Sequence, residues 1–102
     1  MNKLPCVYIM ASNRNGALYT GVTSNLVVRV WQHKEGIYEG YSKQHGTTML
    51  VWYESHATME SAIAREKTIK RWSRQWKMDA IERMNPEWKD LYPSLLGEKD
   101  QP

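Results

Sequence analysis

Two short apolar runs near the start of the chain, separated by a polar turn, constrain the fold most strongly. Residues 6–10 and 17–21 have the length and apolar content of β-strands. Between them lies an Asn15-Gly16 pair, which is typical of tight hairpin turns. Because side chains alternate along a strand, a connection with an even number of residues places Tyr8 and Tyr19 on the same face. The sequence therefore predicts an N-terminal hairpin with two tyrosines on one face.

Helix and strand signals in the rest of the chain predict a small α+β domain. The expected elements, in order, are a helix from caps at 23–25 to about Lys34, a long polar loop over 35–48, a strand over 49–54, and helices over 58–71 and 73–84. Long loops of this kind often carry function. The order β-β-α-β-α-α is typical of an α+β domain. We expect one domain over residues 1–93 and a flexible tail over 94–102.

Length and composition limit the class of protein. A chain of 102 residues has room for one hydrophobic core, and 41% hydrophobic with 25% charged residues is a globular balance. No apolar run reaches the ~18 residues of a membrane helix, and the first residues lack the apolar stretch of a signal peptide. Cys6 is the single cysteine, which excludes an internal disulfide and a thiolate zinc cluster. We therefore expect a protein of the reducing cytoplasm without a membrane partner.

The charged residues are distributed unevenly along the chain. The net charge is +3, and residues 1–34 contain four basic residues and no acidic one. Residues 60–80 contain six basic residues against three acidic ones, whereas residues 81–102 contain three against five. A positive surface of this kind suits a polyanionic partner, although a solvated charged surface without a partner stays open. Five tryptophans and six tyrosines with no phenylalanine suit a wet binding face, because these rings combine an apolar body with a polar group.

Two polar side chains lie beside the apolar stripe of the first predicted helix. That stripe consists of Leu26, Val27, Val30 and Trp31. Arg29 and His33 are four residues apart at its edge, a spacing at which two side chains can share one ligand. Arginine offers a fork of donors that fits a phosphate, and histidine can take up a proton near neutral pH. The alternative is that both groups simply extend to water at the helix boundary.

A carboxylate interrupts the apolar stripe of the second predicted helix. The stripe consists of Met59, Ala62, Ile63 and Ile69, and Glu66 falls in its middle. An unpaired buried charge is very costly, so Glu66 requires a partner. That partner is either a basic side chain or a divalent metal, and the pattern leaves both open. One carboxylate is too few for a calcium site but is enough for magnesium, which keeps most of its waters.

These residues together resemble the GIY-YIG nuclease superfamily. Cys6-Val7-Tyr8 and Tyr19-Thr20-Gly21 resemble the paired tripeptides that name the superfamily, and Arg29, His33 and Glu66 follow in the family's order. The resemblance covers about residues 4–92. It is closest to the small stand-alone bacterial members and extends to the N-terminal nuclease domain of excinuclease C. Cys6 and Thr20 depart from the family tripeptides, and Val22 stands where many members carry lysine.

The resemblance implies both a fold and an activity. The implied fold is a three-stranded antiparallel sheet flanked by helices, with one active site that cuts phosphodiester bonds in DNA. Glu66 would hold one Mg²⁺ or Mn²⁺, and Arg29 would stabilise charge on the phosphate. Either Tyr8 or His33 would take a proton from the attacking water. Tyr19 would orient the phosphate or the water.

Substrate contacts and partners follow from the same resemblance. The residues that we expect to contact the substrate are Arg29, Lys34, Lys43 and Asn85. The expected partner is DNA, bound weakly and with little sequence preference, in repair or recombination, and a protein partner that supplies specificity stays open. The alternatives are a non-catalytic nucleic-acid-binding module and an accessory domain of a repair complex.

Overall fold

A computed structural model describes residues 4–38 and 40–97 of the chain. Its elements are β1 (Cys6–Ala11), β2 (Leu18–Thr23), α1 (Leu26–Lys34), α2 (Tyr41–His45), β3 (Met49–Ser55), α3 (Met59–Lys70), α4 (Arg74–Met84) and α5 (Tyr92–Leu95). The three strands form one antiparallel sheet in the order β2-β1-β3. The predicted α+β class and the three-stranded antiparallel sheet are therefore confirmed.

The register of the hairpin confirms that the two tyrosines share a face. Tyr8 lies opposite Gly21, and Met10 lies opposite Tyr19. The six residues 12–17 connect the strands, and Ala17 donates from its backbone N–H to Ser12 Oγ at 2.9 Å. An even number of connecting residues keeps both phenol rings on one side of the sheet.

The central strand β1 is buried on both faces. One face carries Val7, Ile9 and Ala11, which pack with residues of α3 and α4. The other face carries Tyr8 and Met10, which pack with residues of α1 and α5. Because the sheet has helices on both sides, β1 reads as a continuous apolar run rather than an alternating one. A tyrosine within it is consequently buried completely, with 0% of its surface exposed.

Side-chain caps start the three helices that the sequence predicted. Asn25 accepts a hydrogen bond from Val28 N, Thr58 from Ser61 N, and Ser73 from Trp76 N. Each bond satisfies one of the backbone donors that a helix leaves open in its first turn.

Two short helices were not predicted. Helix α2 lies inside the segment 35–48, which the sequence presented as a loop, and ends at Gly46 with a left-handed φ of 64°. Helix α5 covers residues 92–95, so the boundary placed after residue 93 crosses it, and residues 98–102 of the predicted tail lie outside the described part of the chain. Helices of four or five residues give too few turns for periodicity to be recognised. Among the described residues, no helix is long and apolar enough to cross a membrane.

The apolar stripes of α1 and α3 are rotated relative to the prediction. Trp31 is 46% exposed, and His33 takes the inward position with 3% exposed. On α3 the inward residues are Ala62 and Ile69, whereas Met59 and Ile63 are exposed. Periodicity locates a stripe on a helix, but contacts with the sheet decide which edge of the stripe is covered.

Candidate functional site

The phenol of Tyr8 lies directly over the backbone of Gly21. A Cβ atom at position 21 would lie 2.5 Å from Tyr8 Oη and 2.6 Å from its Cζ. The second tripeptide therefore requires glycine, since any larger residue would displace the ring. Strand pairing in this way places the hydroxyl of Tyr8 at one fixed point beneath α1.

A chain of four buried side chains begins at that hydroxyl. Tyr8 Oη lies 2.9 Å from His33 Nε2, and His33 Nδ1 lies 2.6 Å from Ser42 Oγ. Ser42 Oγ is hydrogen-bonded to Thr47 Oγ1, and all four residues are at most 3% exposed. Both imidazole nitrogens are thus engaged, which fixes the orientation of the His33 ring.

The bonding groups assign a consistent direction to the protons in this chain. Thr47 Oγ1 donates to the backbone oxygen of Ser42 at 3.4 Å, so Ser42 can donate to Thr47 Oγ1. His33 then donates from Nδ1 to Ser42 Oγ, and Nε2 accepts the proton of Tyr8 Oη. With this tautomer of His33, every polar side-chain atom in the series of four residues has a hydrogen-bond partner.

An aromatic wall stands beside the His33 ring. Tyr19 Oη donates to Tyr38 Oη at 3.2 Å, and the ring centroid of Tyr38 lies 4.6 Å from that of His33. The guanidinium carbon of Arg29 lies 4.7 Å from the centroid of Tyr38, over its ring. Stacking of this kind restrains the arginine, and a hydrogen bond from the Arg29 side chain also acts on the Tyr8 phenol. Arg29 is partly exposed, so its remaining donors can meet an anion from solvent.

Burial controls the protonation of the cluster. Burial raises the pKa of Tyr8 well above its usual 10, although the positive charge of Arg29 acts in the opposite direction. Burial and the hydrogen bond to Tyr38 raise the pKa of Tyr19 in the same way. Burial and the charge of Arg29 lower the pKa of His33 from 6.5 to about 4. At neutral pH both phenols are therefore protonated and His33 is uncharged.

Glu66 reaches the same electrostatic environment from α3. Its side chain is only 12% exposed and accepts a hydrogen bond from Lys70 Nζ at 2.7 Å. Its negative charge contributes to the raised pKa of Tyr8, so the carboxylate lies within electrostatic range of the phenol. Of the two partners that the sequence left open, a basic side chain is present, and it is a lysine that is 52% exposed.

The donor set at Glu66 fits a magnesium-like ion and excludes a protein-built metal cage. Among the described residues, no group of three or more His, Cys, Asp and Glu side chains could hold a metal. One carboxylate suits Mg²⁺, which usually keeps several waters and takes further oxygens from a phosphate. Lys70 is half exposed and can move aside to release the carboxylate.

Two of the expected substrate residues lie outside this cluster. Lys34 forms an ion pair with Asp90 and donates to Thr48 O at 2.9 Å, which ties α1 to the segments that flank β3 and α5. Lys43 is exposed on α2, next to Ser42. Their substrate contacts stay predictions.

Asn85 is the third expected substrate residue that the structure places elsewhere. Its Nδ2 donates to Val51 O at 3.2 Å and to Lys89 O at 2.7 Å, and its Oδ1 accepts from Lys89 N at 3.0 Å. The side chain is 5% exposed and holds the chain reversal after α4 against β3. These bonds give Asn85 a structural role, and its substrate contact stays a prediction.

Sequence reasoning missed Tyr38, Ser42 and Thr47. All three come from the segment 35–48. The sequence predicts this segment to be a loop of the kind that carries function, but it does not indicate which of its residues do so. Two hydroxyl residues five positions apart give no periodic signal, and only the docking of α2 against α1 brings them to His33.

Comparison with known proteins identifies the family. The model of the GIY-YIG catalytic domain matches residues 4–79. The chain belongs to the GIY-YIG family. This confirms the resemblance that the tripeptides and the residues Arg29, His33 and Glu66 indicated. The GIY-YIG domain is a nuclease-type domain, and its members generally use divalent metal ions.

Relatives of similar size support the assignment. A UPF0213 protein of Staphylococcus haemolyticus is 38% identical over 76 residues, which cover 74% of this chain and 92% of the relative. A UPF0213 protein of Staphylococcus aureus is 36% identical over 75 residues, with 74% and 90% covered. The solution structure of a UPF0213 protein from Bacillus halodurans superimposes with a TM-score of 0.53 at 24% identity, covering 93% of this chain and 98% of that one. That likeness supports the fold alone.

Proposed function

We propose that this GIY-YIG protein is a metal-dependent endonuclease that hydrolyses phosphodiester bonds in DNA. The observation that carries the proposal is the buried chain from Tyr8 through His33 to Ser42, with Arg29 beside it. A polar chain of this length inside a core is costly unless it is fully bonded. A protein that only needed a stable core would be served equally well by apolar residues there.

Arg29 is the residue proposed to receive the scissile phosphate. Its guanidinium is held over the ring of Tyr38 and remains partly exposed. A restrained guanidinium can bind two phosphate oxygens and stabilise the charge that develops in the transition state. Tyr19, bonded to Tyr38, would keep this wall in place and orient the phosphate or the water.

Tyr8 and His33 are proposed to move the proton of the attacking water together. Tyr8 is completely buried in the free protein, so the step requires that substrate binding expose Tyr8 Oη to the attacking water. The water then gives a proton to Tyr8 Oη while Tyr8 passes its own proton to His33 Nε2, 2.9 Å away. The water oxygen forms the new bond to phosphorus, the bond to the 3′-oxygen breaks, and that oxygen takes a proton from solvent. The bound phosphate is negative and favours the imidazolium form, which offsets the low pKa of His33. Neither residue then has to exist as an isolated buried charge.

Glu66 is proposed to hold the divalent ion, Mg²⁺ or Mn²⁺. When bound, the metal would neutralise charge on a phosphate oxygen and on the leaving 3′-oxygen. The protein supplies the Glu66 carboxylate, which is mostly shielded from water. Lys70 is its partner until a metal competes for the carboxylate.

The test is a cleavage assay with matched variants. Purified protein is incubated with supercoiled plasmid and with branched and single-stranded DNAs, with Mg²⁺, Mn²⁺ or a chelator. We expect Glu66→Ala to lose cleavage while its DNA binding changes only a few-fold. Glu60→Ala, an exposed glutamate in the first turn of the same helix, should cut like the wild type. Equal cleavage by Glu66→Ala would show that the metal assignment is wrong.

Two observations favour a second candidate, a nucleic-acid-binding module without turnover. The Glu66–Lys70 ion pair satisfies the carboxylate without a metal, and Val22, at a position where the family resemblance implies lysine, packs against the apolar core. Salt-sensitive DNA binding by the wild type with no cleavage in any metal would select this candidate. With either activity, we propose that the protein acts in DNA repair or recombination in the cytoplasm and that a protein partner supplies its specificity.

A further inference from the structure

The outer face of α4 carries a cleft that the proposed active site does not use. Four residues line it, Trp72, Trp76, Asp79 and Arg83, and its volume is about 210 Å³. Trp76, Asp79 and Arg83 are spaced by three and four positions on one face of α4, and Trp72 joins them from the turn before the helix. Trp76 is 61% exposed, and among the described residues no large hydrophobic side chain is more exposed. We call this feature the tryptophan cleft.

The two indole rings form a corner rather than a packed pair. Their centroids are 6.2 Å apart and the ring planes meet at 73°. Trp72 is half-buried against the core, and the guanidinium carbon of Arg65 lies 5.2 Å from its ring centroid. The inner indole is thus held from two sides, while the outer one presents its surface to solvent. An exposed indole set against a restrained one offers a surface on which another flat ring can stack.

The charges around the cleft point to a polyanion with hydrogen-bond donors on its rings. The basic residues of α3, α4 and the turn between them are exposed or partly exposed, and comprise Arg65, Lys67, Lys70, Arg71, Arg74, Lys77 and Arg83. Arg65 pairs with Glu54, Lys70 pairs with Glu66, and Arg74 donates to the backbone of residues 15 and 16. Arg83 lines the cleft itself, as does Asp79, which accepts a hydrogen bond from Gln75 Nε2 at 2.9 Å. A carboxylate repels a phosphate but accepts a hydrogen bond from the amino group of a base such as cytosine.

We propose that the tryptophan cleft binds an unpaired base of single-stranded DNA. The base stacks on Trp76 and donates its amino group to Asp79, and Arg83 meets a neighbouring phosphate. Bases inside a duplex cannot offer a free face, so the cleft selects strands that are unpaired or splayed. The choice of DNA rests on the proposed nuclease function. The cleft would then direct the enzyme to substrates with single-stranded segments.

Binding can be measured without cleavage. Fluorescence anisotropy of labelled oligo-dC, oligo-dT and a blunt duplex is recorded with the full chain in the presence of a chelator. We expect Trp76→Ala to weaken binding of both single strands by about fivefold or more, with little change for the duplex. Trp76→Phe should restore most of the affinity, because a smaller ring still stacks. Trp31→Ala, which removes a 46% exposed tryptophan from α1, is the matched control and should bind like the wild type.

A second part of the experiment tests the contact between the base and Asp79. Wild type should bind oligo-dC more tightly than oligo-dT, since only cytosine carries the amino donor, and Asp79→Ala should remove that preference. Retention of single-strand affinity by Trp76→Ala, an equal loss with Trp31→Ala, or a wild-type dimer that Trp76→Ala dissolves would overturn the proposal. The two proposals fail separately. Binding that depends on Trp76, without cleavage, would overturn the proposal that the protein is a nuclease. Cleavage with binding that does not depend on Trp76 would overturn the proposal that the tryptophan cleft binds a base.

Discussion

The buried imidazole of His33 makes a quantitative prediction about stability and pH. Folding lowers its pKa from 6.5 to about 4, and the side chain is 3% exposed. Below pH 6.5 the unfolded chain therefore binds a proton that the folded protein excludes. The contribution of His33 to the free energy of unfolding is fully present above pH 6.5. It is lost as the pH falls towards 4, where the folded imidazole also becomes protonated.

The size of the effect follows from the two pKa values. A tenfold change in a protonation constant corresponds to about 1.4 kcal/mol, so complete titration of His33 costs between about 3 and about 4 kcal/mol. Between pH 8 and pH 5 the loss is about 2 kcal/mol. A domain of this size unfolds several degrees lower for each kcal/mol, so the change is readily measured.

The assay is urea denaturation at pH 8 and at pH 5. His33→Gln removes the titrating group and should lose about 2 kcal/mol less than the wild type over that interval, although it is less stable at both pH values. His45→Gln removes an exposed histidine on α2 and should keep the wild-type dependence on pH. The reasoning is refuted if wild type and His33→Gln lose the same free energy, or if NMR shows the His33 ring titrating near 6.5.

Three further predictions concern the cluster, its supports and its ligand. Gly21→Ala should destabilise the protein by about 1–3 kcal/mol in urea denaturation, because the new methyl group would lie 2.5 Å from Tyr8 Oη; an unchanged midpoint would contradict the close approach. Asp90→Asn should cost about 1–2 kcal/mol, since Asp90 Oδ1 accepts from Leu50 N at 3.2 Å and Oδ2 forms an ion pair. Glu87→Gln, at a 72% exposed ion pair, is its control and should change stability by less than about 0.5 kcal/mol. DNA affinity should fall steeply as salt rises because the contacts are mainly with phosphates, and a flat dependence in a filter-binding titration would favour a protein partner.

The position of Glu66 shows how far periodicity reaches. The apolar pattern of α3 required a partner for this carboxylate, and the structure supplies Lys70 at 2.7 Å. The pattern also predicted Met59 and Ile63 as inward residues, and both are exposed. Periodicity therefore identified the unusual residue correctly while misplacing the stripe around it.

The local elements of this protein follow from its sequence alone. The Asn15-Gly16 turn, the alternation along β1 and β2, and the caps Asn25 and Thr58 each act within a few residues, and all could be read without a structure. The family resemblance, which the domain match over residues 4–79 supports, added the candidate site residues in their order along the chain. These features are local because turn geometry, strand pleat and helix capping depend on neighbouring backbone groups.

Tertiary packing alone decided how those elements form a site. Docking of α2 brings Ser42 to His33, and it is Tyr38, from the preceding segment, that restrains Arg29. Packing also turned His33 rather than Trp31 into the core. Burial is a property of the whole fold, and burial is the largest cause of the low pKa of His33 and the high pKa of Tyr8. The identities of the groups proposed to react therefore follow from the sequence, whereas their protonation and mutual orientation come from the low-dielectric interior that the assembled fold creates.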